Sequence, residues 1–436
     1  MCYTFSAMKS LFKRIVVAIL TWEAKRVLAK YKPKVVAVTG SVGKTSTKDA
    51  IYTVLKKSGF VRKSEKSFNS EVGVPLTVLG LPNAWSSLSG WLENILEGLY
   101  MLVVKTDYPE WLVLEVGADR PGDIQSLAWL KPQVVLFTRF PEVPVHVEFF
   151  GSREAVVEEK RSLKQALTSD GTLIVNADDD AMKDEMVVEG QHRLSYGFSE
   201  HATVYAKDYH IVYEDNLPVG VSCVVSFQQT AKQLVLRGAL GRHHLYPLVG
   251  ALTVAVSTGM LFPNAVEALS EHVPPPGRMR LLNGIHSSVL IDDTYNSSPV
   301  AVHAAIEALA ALNVSGKKIV VLGDMMELGE FSVKEHQRIG VDVAEIADIF
   351  VTVGVRMLAA AKAANTTNAR CQRIEALKDA HEAARLLRTI VSDGDVVLVK
   401  GSQSMRMERV VEQLLRDPNS AVKTLVRQDS HWKGIR

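Results

Sequence analysis

The stretch Lys34–Lys48, K-V-V-A-V-T-G-S-V-G-K-T-S-T-K, decides how the rest of this 436-residue chain is read. Val35 to Val38 form a short apolar run, Gly40 and Gly43 bracket a turn, and the polar run from Lys44 has the composition of a helix start. Strand, glycine-rich loop and helix N-terminus in that order make an anion site, because unpaired backbone N–H groups and the positive end of the helix dipole converge there. Lys44 adds a point charge for terminal phosphates, and the Thr45 hydroxyl suits Mg²⁺. The usual spacing G-x-x-x-x-G-K-[ST] is not met, since Val38 stands where the first glycine belongs. The form present is the shorter T-G-x-x-G-K-T-x-T. The loop Gly40, Ser41, Val42 and Gly43, with Lys44, Thr45 and Ser46, is expected to bind the phosphates of ATP or GTP.

Working outward, the chain is long enough for two or three domains with ample core. Its 47% hydrophobic and 22% charged residues are ordinary globular values. A formal net charge of +2 excludes a strongly electrostatic nucleic-acid binder. Cys2, Cys223 and Cys371 lie far apart with no C-x-x-C, which supports neither a zinc site nor a disulfide framework. A reducing, cytoplasmic setting is expected. The residues before Val35 interleave Lys9, Lys13, Arg14, Lys25, Arg26, Lys30, Lys32 and Lys34 with apolar side chains. Their longest apolar run, Ile15–Leu20, is too short to span a bilayer, and no cleavage site follows. Two readings stay open: a basic amphipathic helix lying on an anionic membrane surface, or a helix packed on its own domain. A second apolar helix is expected at Trp91–Val104, broken by Glu93 and Glu97, and is read as buried or interfacial.

From Val35 to about Val273, β-rich runs (Val35–Val38, Trp111–Glu115, Val134–Thr138, Thr172–Val175) alternate with helical stretches such as Thr47–Lys57 and Ser152–Leu167. This alternation predicts an α/β fold with a parallel sheet. Runs at Val204–Tyr205, Ile211–Tyr213, Val219–Phe227 and Gln233–Arg237 predict a small antiparallel set, followed by a helix at about His244–Thr258. Pro274-Pro275-Pro276-Gly277 forms a stiff linker, because proline fixes φ and disfavours helix before it. Beyond it, strands at Ser288–Asp292, Lys318–Leu322, Ile349–Val353 and Val396–Val399 alternate with helices near 300–312, 332–346, 357–364, 376–391 and 405–415. The last dozen residues are expected to fray.

Several polar residues fall just past these strands, where open α/β sheets bind ligands. Glu115 ends W-L-V-L-E; a carboxylate at a strand tip beside a phosphate loop is a natural Mg²⁺ ligand, against the plainer reading of a solvated acid. P-V-H-V-E-F-F-G-S-R-E-A-V-V-E-E-K holds His146 and Lys160, each of which alone is more often structural. I-D-D-T-Y-N-S-S-P carries Asp293, Tyr295 and Asn296. V-L-G-D-M-M-E-L-G-E and V-K-G-S-Q-S-M-R-M-E-R add Asp324, Glu327, Lys400, Ser402 and Arg406. Such loops often only cap the next helix. Their repetition on one sheet edge points to a substrate face.

Together these strings resemble the Mur ligase family, and within it the MurF branch that adds D-alanyl-D-alanine. T-G-S-V-G-K-T-S-T-K, E-V-G-V-P-L-T, E-V-G-A-D-R-P-G-D-I, H-V-E-F-F-G-S, P-G-R-M-R, D-D-T-Y-N-S-S-P, L-G-D-M-M-E-L-G and V-K-G-S-Q-S-M-R-M-E-R occur in the family's order from about Lys34 to about Asp417. The resemblance implies a P-loop parallel-sheet central ATPase domain (34–273), a proline linker (274–277) and a smaller Rossmann-like C-terminal domain (278–420). A basic amphipathic helix (1–33) would precede these, and a tail (421–436) would follow. It implies ATP and Mg²⁺ as cofactors, with a muramoyl-tripeptide precursor and D-alanyl-D-alanine as substrates. The peptide carboxylate would be activated as an acyl phosphate and captured by the dipeptide amine. By the same resemblance Thr45 and Glu115 hold Mg²⁺, His146 holds a second metal ion, and Lys160 is the lysine that becomes carbamylated and metal-binding. Lys44, His146 and Lys160 form the catalytic set. Arg278 reaches the nucleotide phosphates, Asp293 lies near the ribose with Asn296, and Tyr295, Lys400, Ser402 and Arg406 face the dipeptide.

The chain departs from the family pattern in places. A typical member begins with a separate domain that grips the UDP-sugar end of the substrate; only the short basic segment precedes the phosphate-loop strand here, so that domain is expected to be absent. Ser70, Arg139, His244 and Pro247 stand where asparagines are usual, and residues 83–108 are an extra segment. Two other functions stay open on the residues: an ATP-dependent ligase for another carboxylate, as folylpolyglutamate and cyanophycin enzymes are, or a nucleotide-dependent binding protein without turnover.

Overall fold

A computed structural model describes residues 2–65, 68–85, 87–140, 150–182, 184–366 and 370–434, with side chains from residue 12 onward except 430 and 431. The chain divides into two compact units: residues 1–207, 224–234 and 246–272, and residues 208–223, 235–245 and 273–436.

The first unit is organised by a parallel sheet. Strands β1 (Lys34–Thr39), β2 (Val61–Lys63), β3 (Trp111–Glu115), β4 (Val134–Phe137), β5 (Thr172–Asn176) and β6 (His192–Gly197) run in the order β2-β3-β1-β4-β5-β6. Every neighbouring pair is parallel. β3, β4 and β5 are buried along their whole length, as β1 is beyond Lys34, which is why these strands read as unbroken apolar runs. β1 lies between β3 and β4, with Val38 opposite both Glu115 and Leu136. The C-terminal ends of three strands therefore meet at the glycine loop.

β7 (Val204–Glu214), β8 (Leu217–Phe227) and β9 (Thr230–Arg237) follow in strand order, and the division between the units runs through them. The sequence predicts broken runs here, and the chain instead forms three long strands. The connections 215–216 and 228–229 have two residues each, a length that joins only antiparallel neighbours. Asp215 and Asn216 both have positive φ, the conformation that matches a hairpin's twist.

The helices of this unit are α1 (Cys2–Tyr31), α2 (Lys44–Leu55), α3 (Gly73–Leu79), α4 (Leu88–Val103), α5 (Arg153–Arg161), α6 (Leu245–Ser257) and α7 (Phe262–Leu269). α1 does not stand apart. Val16, Leu20, Ala24 and Val27, spaced by four, four and three residues, are buried in the same core as Val35 and Leu112. Burial of such aliphatic side chains contributes roughly 1.5–3 kcal/mol each. α4, expected as a buried or interfacial helix, lies at the surface: it buries Trp91, Asn94 and Gly98, packs Ile95, Met101 and Leu102 partly against the core, and turns Leu88, Leu92, Leu96, Leu99, Tyr100 and Val103 outward.

The second unit has β10 (Arg280–Asn283), β11 (Val289–Asp293), β12 (Lys318–Gly323), β13 (Ile349–Val353), β14 (Arg373–Leu377) and β15 (Val396–Lys400) in the order β10-β11-β15-β12-β13-β14. β10 is antiparallel to β11 and all other pairs are parallel. The accompanying helices are α8 (Pro299–Ala310), α9 (Ser332–Ile346), α10 (Leu358–Asn365), α11 (Ala380–Ile390) and α12 (Glu408–Leu414). The expected helix from residue 376 starts later, because β14 takes Ala376 and Leu377. Asp379 then caps α11 by accepting from the His381 and Glu382 amides.

The expectation of a fraying tail is also corrected. Ala421 and Leu425 are buried in the second unit's core, and Arg427 reaches Glu408 at 2.7 Å with both side chains nearly inaccessible.

Candidate functional site

The phosphate loop owes its shape to two glycines. Gly40 has φ +133°, and a Cβ there would sit 2.1 Å from Thr138 Oγ1, so close approach of β4 admits no side chain. Gly43 precedes α2 with φ +89°, a left-handed conformation that glycine adopts without strain. The Ser41 and Val42 amides donate to the Arg139 carbonyl at 3.0 and 3.2 Å. Those two amides, expected to face phosphate, instead fasten the loop to the end of β4. The anion-binding donors left to the loop are the first-turn amides of α2, from Gly43 to Ser46, which have no intrahelical acceptor. Lys44 Nζ lies over the loop and donates to the carbonyls of Gly40 and Ser41 at 3.0 and 3.4 Å.

Thr45 and Glu115, expected as Mg²⁺ ligands, meet across this loop. Thr45 Oγ1 donates to Glu115 Oε2 at 2.9 Å, and Asn69 Nδ2 approaches Oε1 at 3.4 Å. The Glu115 amide donates to Ser64 Oγ at 3.1 Å, which fixes the strand tip. Glu115 is buried, and Lys48 Nζ, also buried, lies 3.9 Å from it. Burial lowers the Lys48 pKa, opposed by Asp49 and then Glu115. A hydroxyl and a carboxylate within one hydrogen bond of each other are hard oxygen donors of the kind Mg²⁺ takes. Among the described residues no three His, Cys, Asp or Glu side chains converge, so a cation here would draw its other ligands from phosphate and water.

Lys160, on α5, joins this cluster. Its Nζ donates to Ser41 Oγ at 3.2 Å, and the side chain is buried. Burial first, then the positive charge of Lys44, bring its pKa down to about 7, with Asp119 opposing. Its amine is therefore about half neutral near pH 7, which is unusual for lysine. His146 lies outside the described residues.

In the second unit, several expected residues gather at the C-terminal ends of β11 and β15. Asp293 Oδ2 pairs with Lys400 Nζ at 2.7 Å, and its Oδ1 accepts from the Met279 amide at 3.2 Å. Lys400 also donates to the Asn296 carbonyl at 2.8 Å. The Arg278 guanidinium stacks on the Tyr295 ring, 4.1 Å from its centroid, close enough for a cation–π contact. Ser402 stands apart from this group: its amide donates to the Asp324 carbonyl and its Oγ accepts from the Met326 amide, tying the loop after β15 to that after β12. Arg406, expected to face a substrate, is turned inward. Its Nε pairs with buried Glu408 at 2.6 Å and its Nη1 donates to the Trp432 carbonyl at 2.9 Å.

Lys48, Asn69 and Ser64 around Glu115, and Glu408 with Arg427, are site or supporting residues that the sequence reading missed. Lys48 had a signal, being four residues past Lys44 and so close to the same helix face. Ser64 and Arg427 had none, since only the fold brings them near their partners.

A model of the Mur ligase middle domain matches residues 38–89 and 91–255, and one described as Mur ligase, glutamate ligase domain, matches residues 277–403. The UDP-N-acetylmuramoyl-tripeptide–D-alanyl-D-alanine ligase of Mycobacterium leprae is 30% identical, over 88% of this chain and 74% of that protein. The chain belongs to the Mur ligase family. The Bacillus subtilis ligase of the same name is 28% identical over 91% of this chain and 79% of its own. Among solved Mur ligases, the Thermotoga maritima MurF ligase in complex with ADP has the same fold at a TM-score of 0.72. It is 28% identical, with 91% of this chain and 83% of that chain covered.

Proposed function

We propose that the protein is an ATP-dependent amide ligase of peptidoglycan precursor synthesis, joining D-alanyl-D-alanine to the terminal carboxylate of a muramoyl-tripeptide. The observation that carries this is the Thr45–Glu115 pair, 2.9 Å apart beside the phosphate loop, with Lys160 hydrogen-bonded to that loop. Likeness to ligases of that name, along most of the chain, supports the choice of substrates. ATP with Mg²⁺ supplies the phosphoryl group that turns the carboxylate into an acyl phosphate and ADP; the dipeptide amine then displaces phosphate and loses a proton. The chain's part is positioning and charge neutralisation. First-turn amides of α2 and Lys44 bind phosphate oxygens, and Thr45 and Glu115 hold the cation. The neutral Lys160 amine adds to CO₂ and releases a proton to solvent, giving an anionic carbamate that, with His146, would hold a second metal ion. Arg278, Asp293 and Asn296 are assigned to the nucleotide, and Tyr295, Lys400 and Ser402 to the dipeptide. Arg406 positions the segment through Glu408.

The proposal includes peripheral contact with the cytoplasmic face of the membrane through α1, whose Lys13, Arg14, Lys25 and Arg26 are exposed. Among the described residues no helix is long and apolar enough to cross a membrane. ADP release measured with muramoyl-tripeptide, with and without D-alanyl-D-alanine, tests the ligase reading. Turnover is expected only with both substrates. Turnover indifferent to the dipeptide would reject it in favour of another amine.

A further inference from the structure

α4 has two apolar faces, and only one of them is used by the fold. Trp91, Asn94 and Gly98 face inward. At 100° per residue, Leu88, Leu92, Leu96, Leu99, Tyr100 and Val103 fall within an arc of roughly 120° on the far side. They are exposed by 68, 59, 57, 39, 58 and 84%. Glu93 and Glu97 border this stripe on the Tyr100 side, and Trp85, just ahead of the helix, is exposed as well. A continuous apolar stripe of this length on a surface helix marks a binding surface.

The helix is fixed with that stripe outward. Ser87 caps its start, Asn94 Nδ2 donates to the Pro82 carbonyl at 2.8 Å, and Trp91 Nε1 donates to the Trp85 carbonyl at 3.0 Å. At its end, Lys30 of α1 donates to the carbonyls of Met101, Leu102 and Val104. Rotation to bury the stripe would break all of these.

Charge identifies the occupant. Residues 1–32 hold seven Lys and Arg against one acid, Glu23, so the remainder of this chain of net +2 is net negative. The α1 cations Lys13, Arg14, Lys25 and Arg26 are all exposed, Lys13 pairing with Glu71 at 3.0 Å. Where the stripe ends, Lys105 follows and lines a surface depression with Lys32, Lys34, Tyr31 and Tyr108; Asp107 and Glu110 line it too, so three cations face two acids there and its balance is +1. An apolar stripe beside the cation-rich residues 1–32 matches the acyl boundary and phosphate headgroups of an anionic bilayer.

We infer that the outward face of α4 is a lipid-docking surface, seated in an anionic phospholipid membrane with the α1 cations and the Lys32–Lys34–Lys105 depression on the headgroups. This rests on the membrane contact proposed above and moves the anchoring residues from α1 to α4. Flotation with vesicles of equal parts phosphatidylcholine and phosphatidylglycerol tests it. The wild-type protein is expected to float with these vesicles and to stay down with pure phosphatidylcholine. L92E/L96E should lose at least about tenfold in vesicle affinity. K25E/R26E should lose roughly fivefold per cation at low salt. Both variants change exposed side chains and should keep wild-type helicity and ADP release with soluble substrates. If L92E/L96E floats like wild type while K25E/R26E does not, the α4 surface is refuted and the α1 contact stands. If wild type fails to float at low salt, both fall. If wild type sediments as a dimer that L92E/L96E dissociates, a second copy covers the stripe and the inference is overturned. Flotation without ligase turnover would leave it intact and reject the enzymatic reading alone.

Discussion

Replacing Glu23 by Gln measures the cost of a buried carboxyl group between α1 and α4. Glu23 is fully buried, neither of its oxygens has a hydrogen-bond partner among the described residues, and a Cβ on Gly98 would come within 2.2 Å of Oε2. Burial pushes its pKa from 4.5 up to about 7. At about 1.4 kcal/mol per unit, ionisation of the docked helix pair costs roughly 3 kcal/mol. Its neighbours Trp22, Lys25 and Arg26 are exposed, so solvent relaxation reduces this to about 2 kcal/mol. Because the folded-state pKa is the higher one, docking is at full strength below about pH 4.5. It weakens as pH rises through 7 and levels off above. Amide hydrogen exchange of α1 and α4, corrected for intrinsic rates, should show local opening about thirtyfold easier at pH 8 than at pH 4.5. Glu23→Gln should remove that dependence and protect both helices at pH 8. The same pH dependence in both proteins would refute the assignment of the cost to Glu23.

Four further outcomes are expected. Lys44→Ala should abolish ADP release while leaving the fold intact, and full residual activity would reject the site. Gly40→Ala forces a side chain into Thr138 at φ +133°, a strain of about 1–3 kcal/mol, and should weaken ADP binding at least about tenfold by calorimetry. [¹³C]Bicarbonate should give the wild-type protein a carbamate resonance that grows as pH passes 7 and is missing from Lys160→Gln; a wild-type spectrum without it rejects the carbamate. Arg427→Met leaves Glu408 with Arg406 as its remaining charge partner and should destabilise the second unit by about 3 kcal/mol in urea unfolding; an unchanged midpoint would show that the pair contributes nothing.

The parallel sheets were legible because buried strands leave unbroken apolar runs: Trp111–Glu115 and Ile349–Val353 are strands over the expected residues, and Ser332–Ile346 is a helix over its expected span. Short strands such as Val61–Lys63 carry too few residues to show a period, and His192–Gly197 is polar enough to pass for a loop. Within the site, Lys44, Thr45 and Glu115 were readable from local pattern. That Ser41 and Val42 spend their amides on Arg139 was not, because the partner lies about a hundred residues away in sequence. Arg406 misled for a related reason. A loop arginine after a strand looks like a ligand-binding group until Glu408 and the packed C-terminal segment are in place to hold it.

The position of β15 has a consequence for how the protein is made. This strand sits between β11 and β12, yet it is the last of the unit's strands to be synthesised. When β11 leaves the ribosome, its parallel neighbour is still about a hundred residues away, on the order of 5–20 s of synthesis. Until then Leu290 and Ile291 have no central strand to pair with, and Asp293 lacks Lys400. The nascent second unit is thus an open sheet with an unfilled slot, an edge prone to wrong partners. A message that stalls or ends shortly before codon 396 would release a chain whose first unit is whole and whose second is a sticky fragment. Cellular quality control therefore has more to watch for in the last tenth of this chain than its short length implies.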